Sequence, residues 1–65
     1  MPDIGKRIKA KRIELGMTQE DLANKLGYKS KTTIAKIENG TNDITQSRVV
    51  DFANVLNTTP AYLMG

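Results

Sequence analysis

Three glycines divide the chain into short segments, and their spacing constrains the fold more than any other feature of the sequence. Gly16, Gly27 and Gly40 each follow a stretch with helical periodicity. Glycine readily ends a helix in the left-handed conformation, so each of these positions predicts a helix C-terminus. We interpret Gly5 in the same way, as a residue that punctuates helical segments. A chain interrupted at these points can form only short helices.

Helix start signals stand between these stops. Thr18 and Asp21 have the spacing of a capping box, in which each side chain accepts a backbone N–H of the other residue. Thr59 and Pro60 combine an N-cap residue with the proline favoured at the first helical position. Apolar and polar residues nowhere alternate long enough to favour a strand. The predicted helices run from an Asp3 cap to Gly16, from Gln19 to Leu26, from a Ser30 cap through about Glu38, from about Thr45 to Leu56, and from Pro60 to Met64.

Apolar residues recur in these segments at the spacing of one helix face. A chain of 65 residues forms at most one domain, which buries only about 60% of its unfolded surface. The sequence therefore predicts an all-α fold, a compact five-helix bundle, with Tyr28 and Tyr62 packed in the core or at its rim. The residues expected on the inward stripes are Ile4, Ile8, Lys11 and Leu15, then Leu22, Ala23 and Leu26, then Ile34 and Ile37, and finally Val49, Phe52, Ala53 and Leu56.

The composition excludes several classes of chemistry. The absence of cysteine and histidine removes disulfides, zinc-finger ligation and histidine acid–base catalysis. The carboxylates are scattered, and the glycines form neither a dinucleotide-binding loop nor a P-loop. We therefore expect no enzymatic activity, no metal and no cofactor. Because no apolar run approaches the ~20 residues of a membrane span, we also expect no membrane contact and a cytoplasmic location.

Basic residues outnumber acidic residues by ten to seven, which gives a net charge of +3, and they are unevenly distributed. They crowd the segment from Lys6 to Arg12, continue as lysines from Lys25 to Lys36, and end at Arg48. This distribution fits an electrostatic footprint for phosphates. Surface lysines that only solubilise a small protein would give the same total, so charge alone leaves both interpretations open.

The segment from Thr18 to Gly40 has the organisation of a helix-turn-helix unit. Two helices of about two turns each are joined through Gly27 by a turn of three or four residues. Ala23 is small enough for the second helix to approach closely, and Leu26 and Ile34 are spaced to meet across the turn. In proteins with this motif, the second helix reads the major groove of DNA.

Specific residues along nearly the whole chain, from about residue 4 to residue 64, carry a family resemblance. They are Arg12, Met17-Thr18-Gln19, Leu22-Ala23, Leu26-Gly27, Ile34, Ile37-Glu38-Asn39-Gly40, Phe52-Ala53 and Leu56.

With these residues the chain resembles the Xre-like helix-turn-helix family, which includes the lambdoid phage repressors and Cro proteins. The resemblance implies a DNA-binding domain of the lambda repressor type over residues 1–65, acting as a transcriptional repressor in a bacterial cell or phage-infected host. Many such repressors continue into a C-terminal oligomerisation domain. The chain is therefore compatible with a small regulator or with the N-terminal part of a longer repressor.

The chain departs from the family pattern at two points. Between Gly27 and Ile34 it has one residue more than the commonest pattern, around Tyr28 and Lys29. The loop after Gly40 reads Thr-Asn-Asp-Ile-Thr, where relatives often carry Lys or Arg. Grip on the DNA backbone in this loop would then come from hydroxyls, amides and main-chain N–H groups.

Helix periodicity predicts which residues of the third helix face DNA. Ile34, Ile37 and Glu38 fall within one inward sector. The opposite face reads bases in a recognition helix, with its N-terminal residues closest to the base edges. Lysine suits guanine O6 and N7, threonine offers a hydroxyl and a methyl, and alanine can touch a thymine methyl. The candidate base contacts are Lys31, Thr32, Ala35 and Lys36; a merely solvated helix face is the alternative.

The resemblance adds phosphate contacts and an ion pair. Gln19 matches the glutamine of the family whose amide meets a phosphate at the start of the second helix, where anions are favoured. The family resemblance also implies that Arg12 and Glu38 form a structural ion pair between the first and third helices. An inward charge needs such a partner. The candidate phosphate donors around the groove are Gln19, Ser30, Asn39, Thr41 and Asn42.

The expected partner is double-stranded DNA with a palindromic operator, bound by a homodimer. The uncharged C-terminal stretch, with Tyr62, Leu63 and Met64, is the candidate dimer contact. The alternative function is an antitoxin or protein-interaction module on the same fold, with a toxin or an antirepressor protein as partner. Acidic or bulky apolar residues on the outer face of the third helix would favour that alternative, whereas its lysines favour DNA.

Overall fold

The computed structural model describes residues 4–65, which form five helices. The described residues contain no strand, and none of their helices is long and apolar enough to cross a membrane. The predicted all-α fold is confirmed. The helices are α1 Ile4–Glu14, α2 Gln19–Leu26, α3 Lys31–Glu38, α4 Gln46–Val55 and α5 Pro60–Met64.

Side-chain caps fix the starts of four of these helices. The Thr18 hydroxyl accepts the backbone N–H of Asp21, and the Asp21 carboxylate accepts the N–H of Thr18, which completes the predicted capping box. Ser30 and Thr59 cap α3 and α5 as predicted, and Thr45 caps α4 rather than forming its first turn. The proposed cap of α1, Asp3, lies outside the described residues. These starts were predictable because each cap bonds within its own first turn.

The predicted stops are also confirmed. Gly16, Gly27 and Gly40 all have positive φ angles, which glycine adopts at little cost. At the end of α2, the N–H groups of Gly27 and Tyr28 donate to the carbonyls of Asn24 and Ala23. These bonds satisfy carbonyls that the helix itself leaves without partners.

A single core joins the five helices. Ile8 of α1, Phe52 of α4 and Leu63 of α5 are fully buried and belong to it. Two predicted inward residues lie elsewhere. Leu15 is exposed, because α1 ends at Glu14 and the chain turns away at Gly16. Lys11 is half-buried and pairs with Glu14 instead of facing the core. The core consists of Ile8, Leu22, Ala23, Leu26, Ile34, Ile37, Val49, Phe52, Ala53, Leu56 and Leu63.

Gly5 does not punctuate a helix, contrary to the interpretation from sequence. It lies in the first turn of α1 and is buried against the C-terminal end of α3. A Cβ at this position would lie 2.6 Å from the carbonyl oxygen of Glu38, and the carbonyl oxygen of Ile37 would be closer still. Real Cβ contacts do not occur at such distances, so Gly5 is the residue that lets α1 approach α3.

The stability that the capping box of α2 contributes should decrease at acidic pH. The backbone N–H of Thr18, and next its hydroxyl, hold the pKa of Asp21 below its ordinary value of 3.8. Because folding lowers this pKa, the box stabilises the folded chain above about pH 3.8, and the contribution is lost as the pH falls through the folded value. We expect an NMR titration of the Asp21 carboxyl carbon to give a midpoint below 3.8, and Thr18→Val to move it upward. A midpoint at the ordinary value would mean that the box does not form in solution.

Candidate nucleic-acid interface

Helices α2 and α3, with the turn between them, form the candidate interface. The turn comprises residues 27–30, so four residues separate the end of α2 from the start of α3. Ala23 and Leu26 of α2 are buried in the same cluster as Ile34 and Ile37 of α3. The two helices therefore pack through their apolar faces, and the opposite face of α3 is left to solvent.

The outward face of α3 carries the residues predicted to contact bases. Lys31, Thr32 and Lys36 are exposed, and Ala35 is half-buried. Lys31 is the first residue of the helix, and Lys36 follows a little more than one turn later. Two ammonium groups, a hydroxyl and two methyl groups thus share one face of a helix whose other face is anchored in the core. We define this set of four residues as the readout face.

The predicted phosphate donors bracket the two ends of α3. Ser30 caps the N-terminus, and its hydroxyl oxygen accepts the N–H of Thr32 at 3.1 Å. At the other end, Oδ1 of Asn39 accepts the N–H of Thr41 at 2.9 Å. The N–H groups of Thr41 and Asn42 also donate to the carbonyl of Lys36. The main-chain N–H groups of Thr41 and Asn42 therefore have acceptors within the protein, whereas their side chains are exposed.

Gln19 is the first residue of α2 and faces α3. It lines one shallow polar recess together with Thr18, Glu20 and Lys31. Its Nε2 donates to Oε1 of Glu38 at 3.1 Å, a contact that the sequence did not reveal. An amide carries two N–H donors, so this bond orients the group and leaves the second donor for another acceptor.

Arg12 and Glu38 form a buried ion pair between α1 and α3. The Nε of Arg12 lies 2.7 Å from Oε2 of Glu38, and Nη2 lies 3.2 Å from Oε1. Nη1 donates to the carbonyl of Met17 at 2.9 Å. Only 9% of Arg12 and 7% of Glu38 are exposed. The bidentate pair and the bond from Gln19 join the ends of α1, α2 and α3 at one point.

Two groups of contacts were missed or misplaced by sequence reasoning. Arg48 of α4 contacts the turn between α2 and α3, with its guanidinium carbon 4.6 Å from the centre of the Tyr28 ring. Nothing local in the sequence indicates this contact.

Leu63, a candidate for a dimer surface, is fully buried in the core. Tyr62 is exposed at the rim, where its ring lies 5.2 Å from both the Arg7 guanidinium carbon and the Lys11 ammonium.

The geometry of α2, the turn and α3 agrees with a comparison of the chain with known families. A helix-turn-helix family profile matches residues 8–63. The chain belongs to the Xre-like helix-turn-helix family. The match includes the readout face, the Arg12–Glu38 pair and the turn at Gly27.

Two relatives in this family are described as HTH-type transcriptional regulators, one from Sinorhizobium medicae and one from Rhizobium meliloti. Each is 41% identical to this chain over 54 residues, which are 83% of the chain and 38% of the relative. The chain thus spans well under half the length of these relatives.

A solved structure shows the same fold. It is the crystal structure of the restriction-modification controller protein C.AhdI from Aeromonas hydrophila, with a TM-score of 0.85 and 24% sequence identity. The alignment covers 95% of this chain and 92% of that one. The five-helix arrangement is therefore that of a known member of the helix-turn-helix fold.

Proposed function

We propose that this chain is the sequence-specific DNA-binding domain of a transcription regulator, acting as a repressor of bacterial or phage type in the cytoplasm. The observation that carries the proposal is the readout face: two exposed lysines and an exposed threonine on the outer side of α3. The family to which the chain belongs and the names of its relatives support the same function. In this proposal α3 enters the major groove of double-stranded DNA, with Lys31 and Thr32 nearest the base edges.

Phosphate contacts then flank the readout face. The second N–H of the Gln19 amide donates to a phosphate of one DNA strand at the start of α2, and Ser30 contacts the same strand at the start of α3. The phosphates of the other strand are contacted from the end of α3 and the loop after it, by the side chains of Asn39, Thr41 and Asn42. These contacts fix the position of α3 in the groove, whereas the readout face supplies the sequence preference.

One recognition helix reads only a few base pairs, so we propose that two chains bind a palindromic operator as a two-fold dimer. The centres of the two half-sites then lie about one helical turn apart, ~34 Å. Exposed Tyr62 and Met64 of α5 are the candidates for dimer contact, and buried Leu63 is not.

The direct test is selection of bound duplexes from a random DNA pool by the purified chain. We expect one enriched sequence with two-fold symmetry and half-sites at the stated spacing. Enrichment of a single asymmetric half-site would reject the dimer. Absence of any enriched sequence, with binding that depends on salt alone, would reject sequence-specific regulation.

Two substitutions separate base readout from phosphate contact. Lys36→Ala should relax the preference at one base pair of each half-site, at a cost of ~1–3 kcal/mol for the preferred base. Gln19→Ala should instead weaken binding to all sequences about equally. Binding measured by fluorescence anisotropy on the operator and on each single-base variant distinguishes the two. A uniform loss for Lys36→Ala would remove Lys36 from the readout face.

A protein-binding module, such as an antitoxin, is the second candidate function. The observation that favours it is a largely apolar groove of about 700 Å³ lined by Ile4, Ile44, Val49 and Met64, none of which belongs to the readout face. In this second function the partner would be an antirepressor or a toxin protein. The two functions separate in the selection experiment, because a module without DNA contact enriches no sequence.

A further inference from the structure

Arg48 lies outside the readout face and yet contacts the turn that leads into it. Its Nη1 donates to the carbonyl oxygen of Leu26 at 3.2 Å. Its guanidinium carbon lies 4.6 Å from the centre of the Tyr28 ring. Leu26 is the last residue of α2, and Tyr28 is the second residue of the turn. One side chain from α4 therefore contacts the chain on both sides of Gly27.

The other bonds of the turn are local. The N–H groups of Gly27 and Tyr28 donate to carbonyls of α2, and the Ser30 hydroxyl caps its own helix. These bonds hold each end of the turn to the adjoining helix and do not fix the turn against the rest of the domain. The side chain of Tyr28 does so, because it is half-buried and its ring centre lies 6.4 Å from that of Phe52 in α4.

The length of this turn makes such a contact useful. The turn of residues 27–30 lies directly before Lys31 and Thr32, the first two residues of α3. Each of its four residues adds backbone freedom at the start of α3 unless a tertiary contact restrains the turn. The other end of α3 needs no similar support, because Glu38 is already held by Arg12 and Gln19.

The chemistry of the contact requires an arginine. A planar guanidinium can stack on an aromatic ring and still donate in its own plane to a carbonyl. The Leu26 carbonyl is also one of those that α2 leaves without a helical partner, at the helix end that favours a positive charge. A lysine ammonium supplies the charge but not the flat stacking surface.

We propose that Arg48 is a positioning residue for DNA readout. By holding the turn of residues 27–30 to α4, Arg48 fixes the positions of Lys31 and Thr32 in the major groove. Arg48 itself does not contact DNA. This inference rests on the proposed function, because it assigns a role within recognition of an operator.

The test uses Arg48→Lys on the operator selected by the unmodified chain. Base pairs are first assigned to the two ends of α3 with Lys31→Ala and Lys36→Ala. We then expect Arg48→Lys to reduce discrimination at the base pairs read near Lys31 by roughly fivefold to tenfold, part of what a good base contact supplies. Discrimination at the base pair read by Lys36, and the dependence of binding on salt, should not change.

Matched variants separate the contact with the turn from the charge of Arg48. Asp51 also accepts a bond from Nη1 of Arg48, at 3.4 Å, so Asp51→Asn alters the surroundings of the guanidinium without removing the turn contact. It should discriminate like the unmodified chain. Tyr28→Leu removes the stacking surface together with the ring contact to Phe52, so it should reduce discrimination at least as much as Arg48→Lys. Adding Arg48→Lys to Tyr28→Leu should then cost nothing further. Tyr28→Phe keeps the ring and should retain discrimination.

A second readout needs no DNA. Amide hydrogen exchange of the free chain should accelerate at residues 28–33 in Arg48→Lys and stay unchanged in α1. If the unmodified chain selects no operator, the proposed function fails, and this exchange measurement shows separately whether Arg48 holds the turn. Full discrimination in Arg48→Lys, or unchanged exchange, would overturn the proposal. A fall of about one in the salt slope of Arg48→Ala would also overturn it, because Arg48 would then contact a phosphate itself.

Discussion

Arg12→Ala is expected to lose cooperative folding at room temperature. The substitution leaves the carboxylate of Glu38 buried without its bidentate partner, which costs ~3–5 kcal/mol. It also removes the donor to the carbonyl of Met17. Small single cores rarely supply more than ~3–5 kcal/mol of total stability, so the loss is comparable with the whole. Thermal unfolding followed by circular dichroism at 222 nm, a helix signal, would show a broad transition of reduced amplitude.

Lys11→Ala is the matched control, because it removes a neighbouring cation from the same helix. Lys11 pairs with Glu14 at 3.2 Å on the surface, and such pairs contribute only ~0–1 kcal/mol. This variant should melt close to the unmodified chain. Arg12→Met combined with Glu38→Leu should recover much of the loss, because both buried charges are removed together. Recovery should be incomplete, since Gln19 and the Met17 carbonyl also lose their partners. Near-normal melting of Arg12→Ala alone would contradict the assignment of a buried pair.

Gly5→Ala is expected to destabilise the domain even though alanine is the better helix former. On helix propensity alone the change would stabilise α1 by about 0.5–1 kcal/mol. The added Cβ would instead collide with the main-chain carbonyls of Ile37 and Glu38, which have no flexible side chain to move aside. Overpacking of this kind costs typically ~1–3 kcal/mol, and contact between two backbones places Gly5 at the upper end. Urea unfolding should give a lower midpoint with an unchanged slope.

Two variants isolate the collision from other effects of a methyl group. Ala10→Gly makes the reverse change at an exposed position of α1 and should cost only ~0.5–1 kcal/mol. Gly16→Ala adds a methyl group into open space at a positive φ of 72°, where the cost is about 1–2 kcal/mol of backbone strain alone. A stabilised Gly5→Ala variant would show that α1 does not approach α3 as closely as described.

Recognition of the helices from sequence succeeded because their ends are set locally. The capping box at Thr18 and the left-handed Gly27 each involve residues within one or two turns of each other. Leu15 shows where the same reasoning fails. Its spacing from Ile8 fits the inward stripe of a helix, but the helix ends one residue before it. Periodicity identifies a face only while the helix continues.

The readout face was predictable for the same reason, since the periodicity of α3 separates Lys31, Thr32 and Lys36 from buried Ile34 and Ile37. The surroundings of the phosphate donors were not. The bond from Gln19 to Glu38 joins residues 19 positions apart, and no periodicity relates them. Main-chain N–H groups of the loop after α3 were one expected source of phosphate contacts, but those of Thr41 and Asn42 donate to the carbonyl of Lys36.

The sequence by itself determined where helices begin and end, which face of each is apolar, and which residues of α3 face outward, because caps, glycines and periodicity act over a few neighbouring residues. Only the tertiary structure decided that Gly5 must be glycine, that Leu63 lies in the core, and that Arg48 contacts the turn. Each of these depends on a second segment brought close by packing: the end of α3 for Gly5, the shared core for Leu63, and Leu26, 22 residues away, for Arg48. The identity of a residue does not indicate which distant segment of the chain will pack against it.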